Sequence, residues 1–331
     1  MKNARLWLIP AFAILVTAGA LVVSGDAKPG TVKQIVPGVW FREGEFQAQG
    51  HCNNIFIEMK DYLIVVDANF PSGARAAMAD ARKVSSKPVK YVFDTHHHAD
   101  HSYGNAVWTR AGAVTLAYAA VASEMKRVEP GRWQQNAQKR KDVAELNMRS
   151  VELPKETFTE TPHVIDDAVR RVEFHFFGWA HTRGDGFVYL PKEKVLCTGD
   201  AVVNGAFNAT GDSNLKNWPN VIRAARKLAV DHVLPGHGGP GGKELFAGQL
   251  QFFLDLRNAV AAAVKQGKNL DDIVRTEGAR PSTSITLPDS VKNWTGDLFL
   301  AKQVKDMYGE LTQNRPAGEL NAQQGALKAA H

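Results

Sequence analysis

The sequence predicts an α/β protein, and two observations carry that prediction. Short runs rich in β-branched and aromatic residues recur as far as His237: "NIFIEM" at 54–59, "YLIVVD" at 62–67, "KYVFD" at 90–94, "RRVEFHFF" at 170–177, "KVLCTGD" at 194–200 and "DHVLPGH" at 231–237. Each has the length and composition of a strand. Segments with apolar residues at helical spacing, 71–84 and 217–228, lie between some of them. That alternation is the mark of layered α/β folds.

The chain starts differently. Lys2 and Arg5 precede an apolar run over 6–23, followed by the polar "SGDAKPG", which reads as an export signal over 1–25. Ala18-Gly19-Ala20 offers a small-residue cleavage site, and an uncleaved membrane anchor is the alternative because the run nearly spans a bilayer. The expected location is periplasmic or secreted, anchored if the segment is retained. With 44% hydrophobic and 22% charged residues among 331, the chain is a folded one able to bury a large core. Losing Lys2 and Arg5, with no acid before Asp26, lowers the formal charge from +6 to +4. The remaining basic residues, such as Lys139-Arg140-Lys141, alternate with acids as on a solvated helix face, which argues against nucleic acid as a partner. Cys52 and Cys197, the two cysteines, lie in or beside strand patterns and read as buried unpaired thiols rather than a disulfide.

In order along the chain, "GVWF" at 38–41 begins the strands, and "AVTLAY" at 113–118 continues them. Residues 119–150 are polar and helical in composition, with a break expected at Pro130-Gly131; this segment reads as a surface insertion or a lid. "GFVYL" at 186–190 adds a further strand. From Lys243 the pattern is helical, with Gly267 as a stop and a second helix over 295–311. The expected organisation is a catalytic-type domain over 33–245, a helical extension over 246–315 and a flexible Ala- and Gln-rich tail over 316–331.

The chemistry gathers where strands end. In "DTHHHADH" at 94–101, four of the eleven histidines fall within six positions. His96 and His98 lie two apart just past "KYVFD", so in extended chain their side chains point the same way and can meet one ion, while His97 points opposite. Asp100 and His101 follow in a turn, where Gly104 is expected to let the backbone leave sharply, and address a second position nearby. Asp67, His181, Asp200 and His237 each stand at or past the end of another strand run. In a layered α/β fold such ends share an edge, where ligands bind. His51, His163, His175, His232 and His331 have no comparable partner.

These motifs, together with "GWAHTRGDGFVYLPKEKVLCTGD" at 178–200 and "VLPGHG" at 233–238, resemble the metallo-β-lactamase superfamily. The resemblance covers roughly residues 35–245 and implies an αββα sandwich, here with a C-terminal helical extension. Carried over residue by residue, it implies two zinc ions per chain. His96, His98 and His181 would bind one and Asp100, His101 and His237 the other, with Asp200 bridging. Asp67 and Asp94 are expected to orient imidazoles or the turn, because metal-bound histidines hand their other N–H to an oxygen. Asp185 is a further candidate for that role, or simply begins a turn.

The implied reaction is hydrolysis. Paired zinc ions hold a water whose pKa falls towards ~7, and the resulting hydroxide attacks a carbonyl carbon. Asp100 would orient it and pass its proton to the leaving group. The small-molecule substrate would be an ester, thioester, lactone or β-lactam. Asp200 stands where the best-known β-lactam-hydrolysing subclass has cysteine, as in glyoxalase II-like thioesterases and lactonases. Val203 occupies the place of that subclass's substrate-binding lysine, leaving Asn204 or Asn208 as alternative polar contacts. Trp179 and Tyr103 flank ligands as candidate pocket walls or oxyanion donors. Two other classes stay open: an iron-dependent oxygenase of the same fold, and a non-catalytic exported binding protein. Oligomeric state is left undetermined.

Overall fold

The computed structural model describes residues 28–277, 280–297 and 299–329; the export segment expected over 1–25 lies outside them. Among the described residues, no helix is long and apolar enough to cross a membrane. The first sheet holds seven strands in sequence order: β1 (Val32–Val36), β2 (Val39–Arg42), β3 (Asn54–Glu58), β4 (Leu63–Val66), β5 (Val89–Asp94), β6 (Val114–Tyr118) and β7 (Glu156–Phe158). β1 to β4 pair antiparallel and β4 to β7 parallel. The second sheet, in the order β12-β11-β10-β9-β8, comprises β8 (His163–Asp166), β9 (Arg171–Phe176), β10 (Gly186–Leu190), β11 (Val195–Gly199) and β12 (His232–Pro235). Its β11–β12 pair is parallel.

The helices are α1 (Phe46–Gln49), α2 (Pro71–Val84), α3 (Ala99–Ser102), α4 (Asn105–Arg110), α5 (Ala119–Lys139), α6 (Lys141–Ala144), α7 (Trp218–Ala225), α8 (Glu244–Lys265), α9 (Leu270–Ile273), α10 (Leu300–Gln313) and α11 (Ala317–Ala329). A hairpin of β13 (Val274–Glu277) and β14 (Arg280–Thr283) interrupts the extension, which the sequence predicts as helical throughout.

The period-2 geometry of strands sorts these elements into four layers. Ile55, Ile57, Ile64 and Val66 face the second sheet and meet Val188, Leu190, Val195, Cys197 and Leu234 in one core. Their neighbours Phe56, Leu63 and Val65 point to the other face and pack on Ala74, Ala77 and Ala81 of α2 and Trp108 of α4. On the far side, Phe187, Tyr189, Leu196 and Val233 carry α7, α8 and α10 through Trp218, Phe253 and Val304. A one-residue slip would exchange every such contact. With each buried aliphatic or aromatic side chain contributing roughly 1.5–3 kcal/mol, the register is held from both faces. This is the αββα sandwich with its helical extension. Both cysteines are buried free thiols.

Segment 119–150 departs from expectation. No break occurs at Pro130: α5 runs through it. An internal proline costs about 3 kcal/mol, and the burial of Val121, Met125 and Trp133 along one face of α5, at roughly 1.5–3 kcal/mol each, outweighs that. The segment is helical, as its composition predicts, and one face of the helix packs on Phe70 and Tyr103, beside the histidine turn. The tail after Pro316, expected to be flexible, is helical to Ala329, with Ala317 and Leu320 buried and the Gly318 N–H donating to the Ser213 carbonyl at 2.9 Å.

Gly104 also has a different purpose from the one expected. Its φ of −76° suits any residue, but a Cβ there would lie 2.2 Å from the Ala68 carbonyl oxygen. The glycine permits the histidine turn to dock on the end of β4, where Ala68 N–H donates to His101 O at 2.7 Å and Gly104 N–H to Asn69 O at 2.7 Å. Gly104→Ala is therefore expected to destabilise the fold by about 1–3 kcal/mol through overpacking, read as a lower denaturation midpoint with unchanged m-value. A midpoint equal to that of the unaltered protein would show that the docking tolerates the added methyl.

Candidate metal centre

The segment after β5 delivers His96 and His98 to one point, and the β9–β10 connection delivers His181 to the same point. Their ring centroids form a near-equilateral triangle of 4.8, 4.8 and 4.6 Å, with the planes 76°, 83° and 88° apart. The hydrogen-bond partners fix which nitrogen faces inward. His96 Nδ1 meets Thr95 Oγ1 at 3.0 Å, whose hydroxyl donates to Asp67 at 2.8 Å, so Nδ1 of His96 is the donor. His98 Nε2 donates to Asp212 Oδ2 at 2.8 Å and His181 Nδ1 to the Ala209 carbonyl at 2.9 Å. The inward nitrogens, His96 Nε2, His98 Nδ1 and His181 Nε2, are thus three converging lone pairs.

A second cluster adjoins the first. His101, whose Nδ1 donates to Asp67 Oδ2 at 2.8 Å, presents Nε2 at 3.4 Å from His237 Nε2 and 3.5 Å from Asp100 Oδ2. His237 Nε2 is 3.0 Å from Asp100 Oδ2. Asp200 stands between the clusters, with Oδ1 3.4 Å from His101 Nε2 and Oδ2 3.5 Å from His237 Nε2 and 3.8 Å from His181 Nε2. Gly236 makes room for it, since a Cβ there would lie 2.3 Å from Asp200 Oδ1. The seven side chains proposed from sequence as ligands all meet at this one edge of the sandwich.

The donor set fits a small divalent cation. A tetrahedral ion with bonds of about 2.0–2.1 Å separates its ligand atoms by about 3.3 Å, close to the 3.0–3.5 Å spacings among His101, His237, Asp100 and Asp200. His96 Nε2 and Asp200 Oδ1 are buried with no hydrogen-bond partner among protein atoms, a costly state unless a cation occupies the space between them. Burial, reinforced by the neighbouring imidazoles, holds His96 well below the usual histidine range, and burial lowers His98 to about 4 and His181 also. Neutral imidazoles with free lone pairs follow at neutral pH. Burial would raise Asp100 and Asp200, but the surrounding His101 and His237 outweigh it and keep both carboxylates ionised.

Asp67 holds both clusters: directly through His101, and through Thr95 to His96, with its Oδ1 accepting Thr95 N–H and Oγ1–H at 2.8 Å each. Thr95, Asp212 and the Ala209 carbonyl were not legible as site residues. A main-chain oxygen has no sequence signature, and Asp212 lies in a "GDSN" stretch that reads as a turn.

Several expected roles fall elsewhere. Asp94 touches no imidazole; it accepts from Asn105 Nδ2 at 2.7 Å and so anchors the start of α4, the turn rather than a ring. Asp185 accepts from the N–H groups of Ala180 and Thr182, bracing the loop that presents His181. Tyr103 points away from the centre, its hydroxyl donating to buried Glu129 at 2.5 Å, so it is no oxyanion donor. Trp179 donates to the Asp212 carbonyl at 2.8 Å and lies under the Arg183 guanidinium, 3.8 Å from its ring centre. Asn204 is spent on Gly239 O and buried Asn208 on Trp294 O. His97 faces outward from the cluster, as its alternation predicts, and accepts from Arg132 Nη1 at 3.4 Å. Two phenylalanines with no signature in the sequence motifs, Phe46 and Phe207, stand 4.8 and 5.3 Å from His237 by ring centroid and wall one side of the centre.

Fold and site together define an αββα protein with His/Asp clusters able to hold metal at one sheet edge. A family model described as the metallo-beta-lactamase superfamily matches residues 48–237, more than half of the chain, and the chain belongs to that superfamily. Among solved structures it is similar to a metallo-beta-lactamase from Pontibacter korlensis, with a TM-score of 0.55 and 22% identity over 68% of this chain and 99% of that one. It is similar also to the metallo-beta-lactamase FIM-1 from Pseudomonas aeruginosa in its mono-zinc form, with a TM-score of 0.53 and 21% identity over 70% and 97% of the two chains. At these identities the likeness carries the fold. Helices α8 to α11 lie beyond the matched family region.

Because Asp67 orients a histidine in each cluster, Asp67→Ala is expected to weaken metal retention at both positions, by about 10–100-fold each. Chelator competition followed by metal analysis measures it. Loss confined to one position would show that Thr95 holds His96 without Asp67.

Proposed function

We propose that the protein is a zinc-dependent hydrolase with two ions per chain, exported from the cytoplasm, that cleaves an ester, thioester, lactone or β-lactam bond of a small molecule. The observation that carries this reading is the set of three inward imidazole lone pairs beside a carboxylate-rich second cluster. Neutral imidazoles with carboxylates suit Zn²⁺. His96, His98 and His181 would hold one ion, Asp100, His101 and His237 the other, and Asp200 would contact both. When bound, such ions lower the pKa of a water towards ~7 and polarise a carbonyl oxygen.

The chain's own residues supply the remainder. Asp100 is the most open carboxylate of the centre, its side chain 21% exposed against 7% for Asp200. It is therefore the group able to reach both the attacking water and the leaving atom, accepting a proton from one and returning it to the other. Phe46 and Phe207 exclude water on the His237 side and offer an apolar surface to the substrate. Asp67, Thr95 and Asp212 keep the imidazoles in the tautomer that exposes a lone pair. The β-lactam amide belongs among the candidate bonds because the fold neighbours named above are metallo-beta-lactamases.

The test is metal analysis of the full chain followed by a panel of β-lactam, lactone, thioester, ester and phosphodiester substrates. The zinc-loaded protein is expected to hydrolyse at least one carbonyl substrate, and His96→Ala and Asp200→Ala to lose metal and hydrolysis together. Full turnover by the metal-stripped protein would sink the proposal, and iron in place of zinc would shift it to the oxygenase class. Asp100→Asn is expected to retain the ion of the three-histidine cluster while kcat falls by about 10²–10⁴-fold. An unchanged kcat would remove Asp100 from proton transfer.

A further inference from the structure

We infer that the C-terminal extension is a positioning device for the three-histidine cluster, acting through the loop 208–216. This rests on the metal-binding reading above and adds a part of the chain that lies outside the matched family region. The loop makes two contacts with that cluster, the Ala209 carbonyl accepting from His181 Nδ1 at 2.9 Å and Asp212 Oδ2 accepting from His98 Nε2 at 2.8 Å. The orientation of two of the three imidazoles therefore depends on where this loop lies.

The extension grips the loop along its length. Gln303 Nε2 donates to Asn208 O at 2.6 Å, and Thr210 Oγ1 donates to Asp306 Oδ2 at 2.6 Å. Asn321 Nδ2 donates to both Gly211 O and Asp306 Oδ1 at 3.0 Å. Glu310 accepts from the Leu215 and Lys216 N–H groups at 2.7 and 2.9 Å and from Ala317 N–H at 2.9 Å, tying the loop to the start of α11. Gln303, Asp306 and Glu310 are buried polar groups on one helix, α10, and these contacts turn them towards a single loop. On the opposite side, Arg132 of α5 clamps Asp212 with two hydrogen bonds of 2.7 and 2.8 Å. The Arg132 guanidinium stands beside His97 and Asp212, with Nη1 3.4 Å from His97 Nε2 and 2.7 Å from Asp212 Oδ2, so Asp212 is held by Arg132 while its Oδ2 accepts from His98. Apolar packing holds one end of the loop, where Leu215 joins Val304 and Met307 of α10 in one cluster. A row of buried hydrogen bonds, to main-chain groups and to the Thr210 hydroxyl, fixes the remainder of the loop's position.

Full-length Asn321→Ala and, separately, Thr210→Val are titrated with Zn²⁺ against a chelator, with Lys305→Ala, an exposed position on α10, as control. In both variants one ion is expected to be held about 10–100-fold more weakly and the other as in the unaltered chain. The imidazole ¹⁵N resonances of His98 and His181 identify the weakened position. Coupling is reciprocal, so Zn²⁺ added to the unaltered metal-free chain is expected to slow amide exchange across 300–321 while leaving α2 unaffected. That measurement holds even if a variant fails to fold. Unchanged zinc affinity in folded variants, or exchange across 300–321 indifferent to zinc, overturns the inference. A chain that takes up no zinc at all fails the metal reading first, and this one with it.

Discussion

Where three imidazoles turn lone pairs towards one another inside a protein, the arrangement is unfavourable on its own terms. Each ring has lost water, and none of the inward nitrogens of His96, His98 and His181 carries the hydrogen that would pair it with its neighbour. An unsatisfied buried polar group costs on the order of 1–3 kcal/mol, and here several are gathered at one point, beside a carboxylate, Asp200, with an unpaired oxygen of its own. Left to relax, such rings would flip and pair. They are held because every outer nitrogen of the trio is engaged by a fixed oxygen: Thr95 Oγ1, the Asp212 carboxylate and the Ala209 carbonyl. The remainder of the molecule is organised to keep those oxygens in place.

The sandwich does this by separating its apolar and polar duties along each strand. β4, β10 and β11 are buried over their full length, so only their ends are free to carry polar groups. The carboxyl ends of β4, β5, β11 and β12 open on the same edge and release Asp67, His96, Asp200 and His237 there. Asp67 sits at a positive φ of 66°, a conformation aspartate tolerates better than most residues. From it the carboxylate reaches back to Thr95 and across to His101. The chain turns sharply at this point so that a core strand can end in a hydrogen-bond acceptor for His101 and for the Thr95 hydroxyl that meets His96.

Much of this was legible in the sequence, and the pattern of what was not has a physical basis. Strand runs and their terminal His and Asp residues are local features, and period-2 burial makes them readable without a partner. The seven residues that converge at the sheet edge carry their chemistry in their identity. The supporting groups do not: Ala209 contributes only a carbonyl, Thr95 a hydroxyl of the kind found in any strand, and Asp212 a carboxylate whose sequence setting is that of a turn. Pro130 misled in the opposite direction, because a local penalty was outweighed by the tertiary burial of Met125 and Trp133. Tyr103 lies within reach of the ligands in sequence, yet its direction is set by Glu129, 26 positions away.

The two clusters are consequently supported in different ways. His101 is fixed by Asp67, at the end of a central strand packed on both faces, and Asp200 and His237 follow the parallel pair β11 and β12 directly. That half of the centre inherits the rigidity of the sandwich. His98 and His181 instead lean on a loop, and a loop has few buried apolar contacts with which to resist displacement. Here the missing rigidity comes from two helices: α5, which supplies Arg132, and α10, whose buried Gln303 and Glu310 hold the loop's own backbone and whose Asp306 holds the Thr210 hydroxyl. The length of the chain beyond β12 is thereby connected to the chemistry at the sheet edge. Changes in α10 and α11 act on the three-histidine side, whereas Asp200 and His237 follow core strands and the segment after Asp200 is held by Gln249 and Trp294.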